Sequence, residues 1–146
     1  MFKSVLIKTN PSLLDLSILL LRSTIGGILF VVGAGKVLGW FGGMGMEQTV
    51  QMFQSSTGIS APLAYLSSYT EFIGGFLLVA GLFTRPAAFA VMINMLVAFL
   101  VTLPNGFLTG GASYPFSFLI TSIILLLSGP LAYSVDNLLF GAEKVS

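Results

Sequence analysis

The sequence predicts an all-α membrane protein, a four-transmembrane-helix bundle with its N-terminus and C-terminus on the cytoplasmic side. Three observations carry that expectation. Of 146 residues, 55% are hydrophobic and only 8% are charged, whereas soluble domains carry roughly 25% charge. Four apolar stretches approach the roughly 20 helical residues needed to cross about 30 Å of hydrocarbon. Each is separated from the next by turn-forming sequence: "GWFGGMG", "STGISAP", "FTRP" and "PNGFLTGGASYP".

The first span reads as 13–32. Lys3 and Lys8 precede it in the manner of a signal peptide. Asp15 and Arg22 interrupt the apolar run, and no small-x-small cleavage pattern leads into a soluble domain. An uncleaved first span is the expectation. The second span reads as 63–82 and the third as 86–103. The fourth, 115–133, contains Ser128-Gly129-Pro130 and should kink or end there. With one core and no repeat, residues 1–146 form a single domain.

The 37–61 connection is the longest. In it, Met46, Val50 and Phe53 recur at helical spacing, with Glu47, Gln48, Gln51 and Gln54 elsewhere. That pattern fits a short interfacial helix on the outer face, or an ordered loop packed over the bundle. Placing Lys3, Lys8, Arg85 and Lys144 inside and Lys36 outside satisfies the positive-inside rule. The expected location is the inner (cytoplasmic) membrane of the cell, in several passes.

Composition excludes several function classes. The chain has no Cys and no His, which removes disulfides, Cys or His metal sites, His-ligated haem and His-based nucleophilic catalysis. A net charge of +1 gives no reason to expect nucleic-acid binding. The five carboxylates are scattered, so no metal site is expected. The six Met and thirteen Phe residues suit packing and lipid contact.

Few polar residues remain inside the spans. Arg22 lies about 13 Å into the first span, and Glu71 and Asn94 about 12 Å into the second and third. Spans one and two run antiparallel, so the three share one layer near the midplane, with Glu71 as counter-ion to Arg22. Arg22, Gly26, Gly33 and Lys36 fall on one helical face, as do Glu71, Gly74, Gly75 and Gly81. Those glycines permit either close helix packing or a cavity beside the charges. The Arg22–Glu71 pair then serves as a register pin or as a site for a polar headgroup or proton. Asn94 reads as an interhelical hydrogen-bonding group and Lys36 as a snorkelling or cavity-mouth lysine. Capping or headgroup contact accounts for Asp15 and Asp136.

These residues together resemble the DoxX family of small four-helix membrane proteins, over nearly the whole chain. The opening "LRSTIGGILFVVGAGKVLGWFGG" is similar to the family's Arg…Gly-x-x-Lys pattern, here Arg22, Gly33 and Lys36 followed by Gly39-Trp40. "YTEFIGGFLLVAGLFTRPAA" carries Glu71, Gly74, Gly75, Gly81, Thr84 and Arg85, and "GPLAYSVDNLL" resembles the family's tail. Many relatives have a His near the outer end of the third span and a Glu before the Tyr-Pro pair. This chain reads "TLPNGF" and "GGASYP" there, with Ser113 in place of the Glu and Leu131 replacing a tail glycine.

The resemblance implies a membrane subunit of an oxidoreductase system; the residues themselves, with no nucleophile–base pair and no Cys or His, give no reason to expect independent catalysis or a metal or covalent cofactor. A quinone or other lipophilic molecule beside Arg22 and Glu71 is the expected ligand, with membrane lipid, redox partner subunits or a second copy of the chain as partners. Two other functions fit the residues. One is an assembly module recruiting soluble redox enzymes, the ion pair being architectural; the other is a small-solute or proton permease.

Overall fold

The computed structural model describes residues 10–141, and Lys3, Lys8 and Lys144 lie outside them. Helix α1 runs Pro11–Leu38. Its first turn is set by Asn10, whose Oδ1 accepts from the Ser12 N–H at 3.0 Å, and by Pro11, which lacks only a donor the first turn leaves unpaired. It ends where Gly39 turns left-handed at φ 72°. At 28 residues, α1 is about 42 Å long, so it outreaches the 13–32 expectation at both ends.

A tight turn at Trp40–Gly42 leads to α2, Gly45–Thr57. This is the short amphipathic helix that Met46, Val50 and Phe53 foreshadow. Its polar side faces out, and Thr49 on its inner side is fully buried. Helix α3 spans Ala61–Ala80 and α4 spans Thr84–Thr102, joined by the sharp turn Gly81-Leu82-Phe83. Helix α5, Ser113–Ser128, stops at Gly129, as the Ser-Gly-Pro sequence requires. The short α6, Val135–Phe140, follows, N-capped by Ser134. No strand occurs among the described residues.

Helices α1, α3 and α4 are long and apolar enough to cross a membrane, and α5 is a shorter apolar helix. The polarity of the surface agrees with that reading. Leu20, Ile73, Phe76, Phe89, Leu100 and Leu127 point outward, an arrangement that lipid tolerates and water does not. The core is small: Leu29, Leu78, Ala88, Val91 and Leu125 are all at 0% exposure.

Contacts between α1 and α3 run nearly backbone to backbone. A side chain at Gly26 would bring a Cβ to 2.8 Å from the Gly75 carbonyl oxygen, and one at Gly33 would overlap the Phe72 backbone. Phe30 and Phe72 stack beside this seam with centroids 5.3 Å apart. In lipid, such close packing and its dispersion contacts hold helices together where water would have used the hydrophobic effect. The glycines therefore pack here, and they fix the register of α1 on α3.

Candidate functional site

That register decides which charges meet. Gly33 lies on the backbone of Glu71 and Phe72, while Gly26 lies on Gly75 and Val79. Lys36, one turn beyond Gly33, reaches Glu71, with Nζ to Oε2 at 2.6 Å. Arg22, one turn before Gly26, falls instead at the far end of α3, against Gly81. Arg22 and Lys36 are 14 positions apart in α1, about 21 Å along the axis. Two polar layers replace the single shared one: Lys36 with Glu71 halfway along α3, and Arg22 at its C-terminal end.

The expected Arg22–Glu71 pair is therefore corrected. Flush alignment of 13–32 with 63–82 sets Arg22 opposite Ile73. The glycine contacts slide α1 by about nine residues, or roughly 13 Å. Among the described residues, Lys36–Glu71 is the one ion pair. Lys36 is the residue that pairs with Glu71, and it also lines the mouth of a cavity.

The Lys36–Glu71 layer is roofed by α2. The Phe53 ring centroid lies 5.4 Å from Nζ, within cation–π range. The Thr49 hydroxyl donates to the Gly45 carbonyl at 2.7 Å and reaches toward the Lys36 carbonyl at 3.5 Å. Side-chain exposure is 22% for Lys36 and 8% for Glu71, so the lysine opens outward and the carboxylate is enclosed. Beside them is a cavity of about 290 Å³, walled by Val31, Lys36, Trp40, Phe41, Thr49 and Met52. Phe41 forms its lip in a left-handed conformation, φ 55°, which is strained for an aromatic residue.

Asn94 belongs at this level. Gly74 meets Val91 across α3 and α4, and one turn further along both helices come Glu71 and Asn94. The Asn94 amide nitrogen is buried without a hydrogen-bond partner. In hydrocarbon an unpaired donor costs on the order of 1–3 kcal/mol.

At the other end, Arg22 is 1% exposed and holds backbone. Its two terminal nitrogens donate to the Pro130 carbonyl at 3.1 Å and the Tyr133 carbonyl at 2.5 Å. These carbonyls are free because Gly129 and Pro130 end α5 and leave the next residues outside any helix. Gly81 must be glycine here, since it is left-handed at φ 68° and a Cβ would strike the guanidinium.

Asp136 completes this end. One of its oxygens accepts from the Phe83 N–H at 2.7 Å and the other from the Thr84 N–H at 2.8 Å, while its own N–H donates to the Gly81 carbonyl at 2.9 Å. The tail is thereby strapped to the α3–α4 turn, and Asp136 caps α4 from a distance. Partial burial pushes its carboxyl pKa up, but the two backbone N–H groups and the Arg22 charge outweigh that, so the net shift is downward. Arg85 lies against Gly129. Arg22, the Gly81–Arg85 turn and the Gly129–Asp136 tail, dispersed in sequence, thus form one cluster.

Side-chain reasoning missed the partners of Arg22 because backbone carbonyls carry no residue signature. The Gly-Pro break at 129–130 was the available signal. It also missed Thr49 and Phe53 as the roof over Lys36, for which the position of Thr49 on the apolar face of α2 was the clue. No cluster of three or more carboxylate, His or Cys side chains able to hold a metal occurs among the described residues.

The DoxX family model matches residues 17–104, which include Arg22, Lys36, Glu71, Gly81 and Asn94. A relative in Bacillus subtilis (strain 168), "Putative oxidoreductase CatD", is 32% identical over 130 residues, covering 89% of this chain and 92% of its own. No solved structure matches significantly. The chain is a membrane protein of the DoxX family.

Proposed function

We propose that this protein is a membrane subunit of a redox-linked system, and that it holds a quinone-like lipophilic molecule in the cavity beside Lys36 and Glu71. The observation that carries this is one juxtaposition: a 2.6 Å ion pair opening through Lys36 onto an apolar, aromatic-lipped cavity of about 290 Å³. Ligand sites are mostly apolar with a few convergent polar groups. At about 290 Å³ the cavity falls just short of the roughly 300 Å³ at which such sites begin, and it suits a ring-sized head whose tail remains in lipid.

In this reading the Lys36 ammonium donates to a ring carbonyl, and Trp40 and Met52 exclude water. Glu71 anchors the Lys36 ammonium from its enclosed side. The bound molecule supplies the redox chemistry. With no Cys or His in the chain, electrons pass between that molecule and a partner subunit. The Arg85 end faces the cytoplasm and the Trp40 end faces outward, in the inner membrane, in keeping with the distribution of Lys and Arg.

Photo-crosslinking with an azido-quinone in native membranes tests the reading. Label is expected within residues 31–53, and it should fall at least tenfold in Lys36→Met and in Val31→Trp, which narrows the cavity from an exposed position. Label that maps elsewhere, or that ignores both changes in variants that still fold, overturns it.

A second reading has its own observation. Trp40, Phe41 and Met44 are 54%, 67% and 54% exposed on one strained turn, which suits docking of a redox partner by an assembly module. Co-purification of a partner that is lost in Phe41→Ser supports this; release of the protein alone in mild detergent argues against it.

A further inference from the structure

The cluster around Arg22 has a second face. A groove of about 370 Å³ runs between α1, the end of α3 and the 132–138 segment, with Leu19, Val79 and Leu138 as apolar walls and Arg22 at its base. It is open to the side, where those helices face lipid. The exposed Leu138, Leu139 and Phe140 of α6 mark the membrane boundary at this end, because an apolar short helix with a polar cap belongs in the headgroup region.

Arg22 carries a full charge in this setting, with two carbonyl dipoles as hydrogen-bond partners. Among the described residues no carboxylate lies within ion-pair distance of it. Asp136 acts on it through space, but both Asp136 oxygens are committed to the Phe83 and Thr84 N–H groups. The Arg22 Nε–H is buried and unpartnered. A buried guanidinium left this way is costly, and guanidinium geometry suits phosphate.

We propose that an anionic phospholipid occupies this groove, with its phosphate against Arg22, its glycerol beside Leu19 and the start of its acyl chains along Val79. The lipid supplies the negative charge that the chain does not. It would join α1 to the tail from the lipid side, as the Pro130 and Tyr133 carbonyls do from within. This site is at the opposite end of the bundle from the Lys36–Glu71 cavity and does not depend on the function proposed for that cavity.

Native mass spectrometry of the full-length protein tests this. Delipidated protein in detergent is titrated with phosphatidylglycerol or phosphatidylcholine. One retained phosphatidylglycerol is expected, preferred about fivefold over phosphatidylcholine, the worth of one basic side chain at a membrane surface. Ala132→Phe fills the groove mouth from an exposed position and leaves the Arg22 hydrogen bonds in place. It should abolish the preference without changing the melting temperature in lipid-free detergent. Equal retention of the two lipids by wild-type protein, or an undiminished preference in Ala132→Phe, overturns the proposal. Complete displacement of the lipid by millimolar inorganic phosphate also overturns it, because the site would then bind a free anion.

Discussion

Substituting alanine at Gly33 and at Gly27, two glycines of the same helix, should move stability in opposite directions. At Gly27 a Cβ meets nothing within 4 Å. The change then only restores helix propensity, worth about 0.5–1 kcal/mol. At Gly33 the same methyl overlaps the backbone of Glu71 and Phe72. Backbone cannot rotate away as a side chain can, so α1 must slide or separate from α3. Overpacking of this kind costs about 1–3 kcal/mol; separation would also lengthen the Lys36–Glu71 contact that the register sets at 2.6 Å. The net expectation is stabilisation of about 0.5 kcal/mol or more for Gly27→Ala and destabilisation of about 1–2 kcal/mol for Gly33→Ala. Reversible unfolding in mixed detergent micelles, followed by circular dichroism, measures both. Equal effects of either sign would refute the register, and with it the pairing of charges.

Further outcomes follow from the Arg22 end. Gly81→Ala should destabilise by about 2–4 kcal/mol, combining left-handed backbone strain with a clash against the guanidinium; a loss below about 1 kcal/mol in the same unfolding assay would contradict the contact. The Asp136 carboxyl is held below its ordinary value in the folded state, so its contribution is fully present above the unfolded pKa of about 3.9 and is lost as pH falls through the lower folded value. Melting curves from pH 7 down to pH 3 should show this loss, and Asp136→Asn should remove it while costing about 1 kcal/mol at pH 7. A pH profile identical in the two proteins would contradict the strap. Thr49→Val should loosen α2 from the bundle, read as earlier proteolysis within residues 45–57; unchanged cleavage would argue against Thr49 as an anchor.

The helices were largely legible in the sequence, because hydropathy, glycine ends and proline breaks act locally. The 37–61 helix was legible for the same reason, through Met46, Val50 and Phe53. Pairing was not. Depth counting treats span ends as flush, but α1 continues through Gly33 and Lys36 to Leu38, so the hydropathy window closed too early. Identifying Arg22, Lys36, Glu71 and Asn94 as the polar residues of the spans needed only their chemistry. Deciding which of them meet needed the α1–α3 register, and that depends on where Gly26, Gly33 and Gly75 allow two backbones to touch. The acceptors of Arg22 were further out of reach, since Pro130 and Tyr133 contribute carbonyls whose availability depends on chain geometry after α5.

Double-mutant cycles centred on Glu71 test the two-layer arrangement most directly. Glu71→Gln is combined with Lys36→Met and, separately, with Arg22→Gln, all in the Gly27→Ala background to keep the variants folded. A coupling energy of about 1–3 kcal/mol between Glu71 and Lys36 is predicted, with coupling between Glu71 and Arg22 below about 0.5 kcal/mol. Strong Glu71–Arg22 coupling with none to Lys36 would return the two charges to one layer and contradict the account.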